Sequence, residues 1–235
     1  MEDPAMEPSL LTFAIDISRG DPAVAVMVRQ WLALPPATNE AIGFYGDPDT
    51  MPREWRQWLA TVSLLRDRGY IDGFEDKYSN EILAVWDRDG LLDRNALPAD
   101  AQAVWEIIEN GFDYDGDDDN APEPAQLETL WRDYAAASRA VEDAIMARGR
   151  VLVSIDATDG DTLFFAAVDP VVADRWLGVG FAVIEDGGVR REVGVRPPMW
   201  GRLWAHLLYT MENVPEEFEE RGLPPGLAEP GPLRF

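Results

Sequence analysis

At residue 150 the hydrophobic pattern of the chain changes period, and this switch narrows the folds open to it. Upstream, apolar residues recur at the spacing of helices with one buried face. Downstream come short runs rich in β-branched and aromatic residues, bounded by Gly, Pro and Asp, which read as strands. Helices first and strands later predict an α+β protein: a mainly helical N-terminal part, then a small antiparallel sheet of two hairpins covered by a C-terminal helix.

The helical half has clear punctuation. Asp21-Pro22 pairs an N-cap residue with Pro at the first helical position, and Val24, Val28, Trp31 and Leu32 follow at helical spacing, which predicts a helix over residues 22–34. Residues 10–17 fit a strand or a short helix equally. Residues 53–68 place Trp55, Trp58, Leu59, Val62 and Leu65 on one face, with Gly69 as the stop. Further helices are expected over 77–86 and from Pro98 to the stop at Gly111. The longest is expected over 125–148, with Leu127, Leu130, Trp131, Tyr134, Val141 and Ile145 as its apolar stripe and Gly149 closing it.

In the second half, runs 151–155 and 162–168 flank Asp159-Gly160, a hairpin signal, and runs 180–184 and 189–195 flank Glu185-Asp186-Gly187-Gly188. These give about four antiparallel strands. Asp169-Pro170 opens a short helix to Trp176, and Pro198 opens a last one carrying Trp200, Leu203, Trp204, Leu207, Leu208 and Met211, before a Pro- and Gly-rich tail. The expected regions are 1–111, 112–149 and 150–235, together forming one compact domain.

Charge narrows the function classes. The 235 residues hold 44 Asp and Glu against 20 Lys and Arg, a net charge of −24. Such a surplus repels nucleic-acid phosphates and anionic lipid head groups, so neither nucleic acid nor membrane is expected as a partner. With no Cys there is no disulfide, thiolate nucleophile or Cys-ligated metal, and His206 as the one His excludes sites built on two imidazoles. The acidic start of the chain lacks a basic and apolar leader, which predicts a cytoplasmic protein.

The acidity is densest where Asp113, Asp115, Asp117, Asp118 and Asp119 crowd a loop ahead of the long helix. Clustered carboxylates are hard-cation ligands, but a calcium-binding EF-hand needs Gly and Glu where Asp118 and Pro124 stand. The five aspartates therefore read as a solvated loop or as a surface that steers a basic protein partner, and no metal is assigned. His206 has no recognisable catalytic companion. Asp156, Asp159 and Asp161 read as turn chemistry at the first hairpin. Arg190, Arg191, Arg196 and Arg202 form the one basic concentration, suited to an anionic ligand or to internal pairing. The Trp pairs Trp55/Trp58 and Trp200/Trp204 have the spacing of core stripes.

A small acidic α+β chain rich in Trp, Arg and Ala and without Cys is similar in composition to many uncharacterised bacterial proteins, some of them immunity proteins that neutralise toxins; no motif carries that similarity. The expected function is a noncatalytic protein-binding or regulatory role through an acidic surface, with no cofactor. The alternatives are a divalent-cation-dependent hydrolase using the acidic loop and a small-molecule-binding protein with an aromatic pocket.

Overall fold

The computed structural model describes residues 9–34, 50–75, 81–110, 124–157, 162–186 and 189–201. In chain order the elements are helices α1 (Leu10–Ile17), α2 (Pro22–Ala33) and α3 (Arg53–Asp67), strand β1 (Asp72–Glu75), helix α4 (Ile82–Arg88) and a 3-10 turn (Arg94–Ala96). Helices α5 (Ala99–Asn110) and α6 (Pro124–Ala147), strands β2 (Val151–Ile155) and β3 (Thr162–Val168), helix α7 (Pro170–Trp176) and strands β4 (Gly180–Asp186) and β5 (Val189–Arg196) complete them. The class is α+β. By Cα packing the chain forms two compact units, Met1–Gly73 with Leu152–Pro197 and Phe74–Val151 with Pro198–Phe235.

The first unit begins with a short helix where the sequence pattern was ambiguous. The Ser9 hydroxyl accepts the Thr12 N–H at 3.2 Å, and the resulting α1 buries Phe13, Ala14 and Ile17 along one side. Asp21 then caps α2 as the Asp-Pro pair implies, its Oδ1 accepting the Ala23 N–H at 2.8 Å. The carbonyls at the far end of α2 are met by α3: Arg53 donates to the Leu32 oxygen at 2.6 Å and Gln57 to that of Trp31 at 3.0 Å. Helix α3 buries Trp58, Leu59, Val62 and Leu65 as the stripe predicts, whereas Trp55 is half-buried.

The sheet has five antiparallel strands in the order β1-β3-β2-β5-β4. Both expected hairpins are there, and β2 pairs β5 antiparallel, Ser154 opposite Arg196, which joins them. Asp186 pairs with Val189, leaving Gly187-Gly188 between β4 and β5. The strand that the sequence pattern does not announce is β1, at the edge beside β3. Its four residues include Gly73, where a Cβ would lie 2.9 Å from the Phe164 ring. A short strand whose interior Gly is needed for close approach carries almost no periodic signal. Residues 163–166 of β3 are buried without alternation, the pattern of a strand covered on both faces.

A register irregularity between Gly180 and Ala182 brings Phe181 into the aromatic core. Its ring stacks on Trp58 with centroids 4.8 Å apart and lies 4.9 Å from Phe13 and 5.7 Å from Trp176. The irregularity depends on Gly194, where a Cβ would lie 2.1 Å from the Val179 carbonyl oxygen. Both sides of that approach are backbone, so no side-chain movement relieves it.

The second unit is mainly helical in its described part. Helices α5 and α6 pack together, and Tyr134, Val141 and Ile145 of the expected α6 stripe are buried. Around them lie Ile82, Leu83 and Trp86 of α4, Trp105 of α5, and Met199 and Trp200. Helix α4 is described from Ile82, and the part of its expected span at residues 77–80 lies outside the described residues. So do the covering helix beyond Gly201, with Leu203, Trp204, Leu207, Leu208 and Met211, and the Pro-rich tail.

Candidate functional site

Asp113, Asp115, Asp117, Asp118 and Asp119, together with Asp159, Asp161, Arg202 and His206, lie outside the described residues. What the structure does bring together from the sequence candidates is Asp156 with Arg191. Asp156 follows the last residue of β2, and Arg191 lies on β5 opposite Ile184. The Arg191 Nη1 donates to Asp156 Oδ2 at 2.5 Å, with the aspartate side chain 1% exposed and the arginine 28%. Asp156 is therefore no turn residue, which corrects the reading from sequence: its side chain is the acidic half of a buried ion pair.

The backbone of Asp156 is held as firmly as its carboxylate. Its N–H donates to the Gly194 carbonyl at 2.7 Å, and its own carbonyl accepts the Trp58 Nε1–H at 2.9 Å. One residue thus links the end of β2, strand β5 and helix α3. Burying either charge alone would cost several kcal/mol, roughly 3–5 when a partner is removed, so the two must enter the core together. The chemistry of this arrangement is that of a neutral fastener.

Of the other described arginines of the basic concentration, one is bonded within β5 and one lies at the surface. Arg196 donates to the Glu192 carbonyl at 2.7 Å, and Arg190 is exposed on β5 in register with Glu185 of β4. The internal-pairing reading holds for Arg191, with Asp156 as its acid. A second fastener has no sequence signature: Asp16 Oδ2 on α1 accepts from Arg175 Nη1 at 2.7 Å and from Trp176 Nε1 at 2.9 Å, both on α7. For Asp156 the sequence shows only an acid directly after an apolar strand, and its partner Arg191 lies 35 positions on. For Asp16 no local signal exists, because its partners lie 159 and 160 positions away.

Among the described residues no group of three or more His, Asp or Glu side chains comes together to hold a metal ion. Among them too, no helix is long and apolar enough to cross a membrane. No protein family, curated protein or solved structure matches the chain.

Proposed function

We propose that this protein binds a basic protein partner through its acidic surface, in an immunity or regulatory role without catalysis of its own. The observation that carries this reading is the charge surplus. Ion pairing consumes acids and bases one for one, so even if each of the 20 Lys and Arg had a carboxylate partner, the net charge of −24 would remain. Inside the fold, Arg175, Arg191, Arg94 and Arg68 already serve Asp16, Asp156, Glu109 and Asp21. That surplus is densest along the sequence at Asp113, Asp115, Asp117, Asp118 and Asp119, which we take as the steering surface. Complementary charge accelerates encounter with a basic surface and makes association sensitive to salt.

The test captures partners on the full chain at low and high salt, beside a variant with all five aspartates changed to Asn. The expected result is a stoichiometric basic protein that high salt or the variant releases. With that partner purified, the variant should slow association by roughly tenfold or more and flatten its salt dependence. An association rate and salt slope equal to those of the parent chain would remove the five aspartates from the interface.

A further inference from the structure

Helix α6 turns a polar line into the second unit. Tyr134, Ser138 and Glu142 follow one another at four-residue spacing, with Tyr134 and Ser138 both at 0% exposure. Two of the three hold the same residue. The Tyr134 hydroxyl donates to the Trp200 carbonyl oxygen at 3.0 Å, and the Trp200 Nε1–H donates to Glu142 Oε1 at 2.6 Å. The indole is itself pinned, meeting Trp86 and Trp105 at centroid distances of 6.1 and 5.8 Å. It cannot turn from Glu142 without giving up those ring contacts.

A carboxyl in this position has two states of opposite merit. Ionised, it is a stronger acceptor for the indole proton, but it sets a partly buried charge against the Trp200 indole, and among the described residues no ion pair reaches it. Protonated, it keeps an oxygen for the indole and carries no charge. Burial pushes the Glu142 carboxyl above its ordinary value, the Trp200 hydrogen bond pulls the other way, Asp143 raises it and Arg139 lowers it. The neighbouring helix α5 carries the acids Asp100, Glu106 and Glu109, the last of them paired with Arg94.

We propose that Glu142 is the proton sensor of the second unit: with a proton it lets Trp200 pack against Trp86 and Trp105 without a half-buried charge at its indole N–H, and on losing it the cluster loosens. A carboxyl raised in the folded state contributes stability that is full below its unfolded value and is lost as pH rises through its folded one. Alkalinisation is thus the loosening direction.

The experiment is a pH titration of the full chain by NMR, following the Trp200 indole N–H and the Glu142 carboxyl carbon together. Both should move with one midpoint, above the ordinary glutamate value of 4.5. Glu142→Gln should abolish the indole titration and flatten the accompanying loss of urea stability, while Tyr134→Phe should leave the titration in place. A shared midpoint at or below the ordinary value, or an indole titration that survives in Glu142→Gln, overturns the proposal. Should that variant fail to fold, the wild-type titration decides alone, and two different midpoints for indole and carboxyl overturn it equally.

Discussion

Each compact unit is centred on aromatic rings, and in each an indole N–H reaches an acidic side chain, yet the acids are compensated differently. In the first unit, Asp16 takes the Trp176 N–H together with Arg175, and Asp156 faces Arg191. In the second, Glu142 takes the Trp200 N–H with no ion pair among the described residues. Glu109 does have Arg94, and burial still outweighs it and raises the carboxyl. An acid opposite a guanidinium enters a core as half of a neutral pair. An acid without one enters most readily as the neutral acid, which ties its packing to pH.

The largest effect should come from removing the ring at the centre of the first unit. Trp58→Ala deletes the stack on Phe181 and the tilted contact with Phe13, and takes the indole N–H away from the Asp156 carbonyl. A fully buried Trp truncated to Ala costs about 3–5 kcal/mol, read from urea unfolding. A loss under about 1 kcal/mol, the level of an ordinary surface change, would show that the cluster is not the centre of that core.

The two fasteners of the first unit then separate burial from mere pairing. Arg191→Met takes the guanidinium from the buried Asp156 carboxylate and should cost about 3 kcal/mol, most of it regained when Asp156→Asn is added. Arg175→Met acts on a pair whose arginine is 50% exposed, and should cost under about 1 kcal/mol. Equal losses would mean that solvent exclusion is not what distinguishes them. Gly194→Ala tests the sheet beside them: a Cβ forced against the Val179 oxygen should cost about 1–3 kcal/mol and disturb the register that holds Phe181 inward. An unchanged Phe181 environment by NMR would show that the backbone can yield there.

Much of this fold is legible in the sequence, because its signals are local. The Asp-Pro start of α2, the stop at Gly69 and the Gly187-Gly188 spacing of the second hairpin each fix an element within a few residues. Strand β1 was not legible, since its four residues pair only once β3 is in place. The sites fared worse for the same reason. Asp156 beside a hairpin resembles a turn residue until Arg191, 35 positions on, is known to lie across from it. Glu142 could have been noticed as the third member of a polar series at four-residue spacing beside an apolar stripe, but its partner lies 58 positions away.

The smallest effects give the finest comparison, because two carboxyls should titrate on opposite sides of their ordinary values. In the first unit, the Ala23 N–H holds Asp21 below its usual 3.8, with the Tyr70 hydroxyl and Arg68 adding to it. A lowered acid contributes stability that is present above the unfolded value and is lost as pH falls through the folded one. In the second unit, burial holds Glu109 above its usual 4.5 in spite of Arg94. Its contribution runs the other way, full below 4.5 and lost as pH rises through the folded value. Acidification from neutral should therefore first strengthen what surrounds Glu109 and only later weaken the cap at Asp21. Carboxyl-carbon titrations read both midpoints in one sample, and single variants give each shift its cause: Tyr70→Phe should move the Asp21 midpoint upward, and Arg94→Met should push that of Glu109 higher still. If both acids titrated at their ordinary values, compensation would not separate the two units, and the contrast between their cores would reduce to shape.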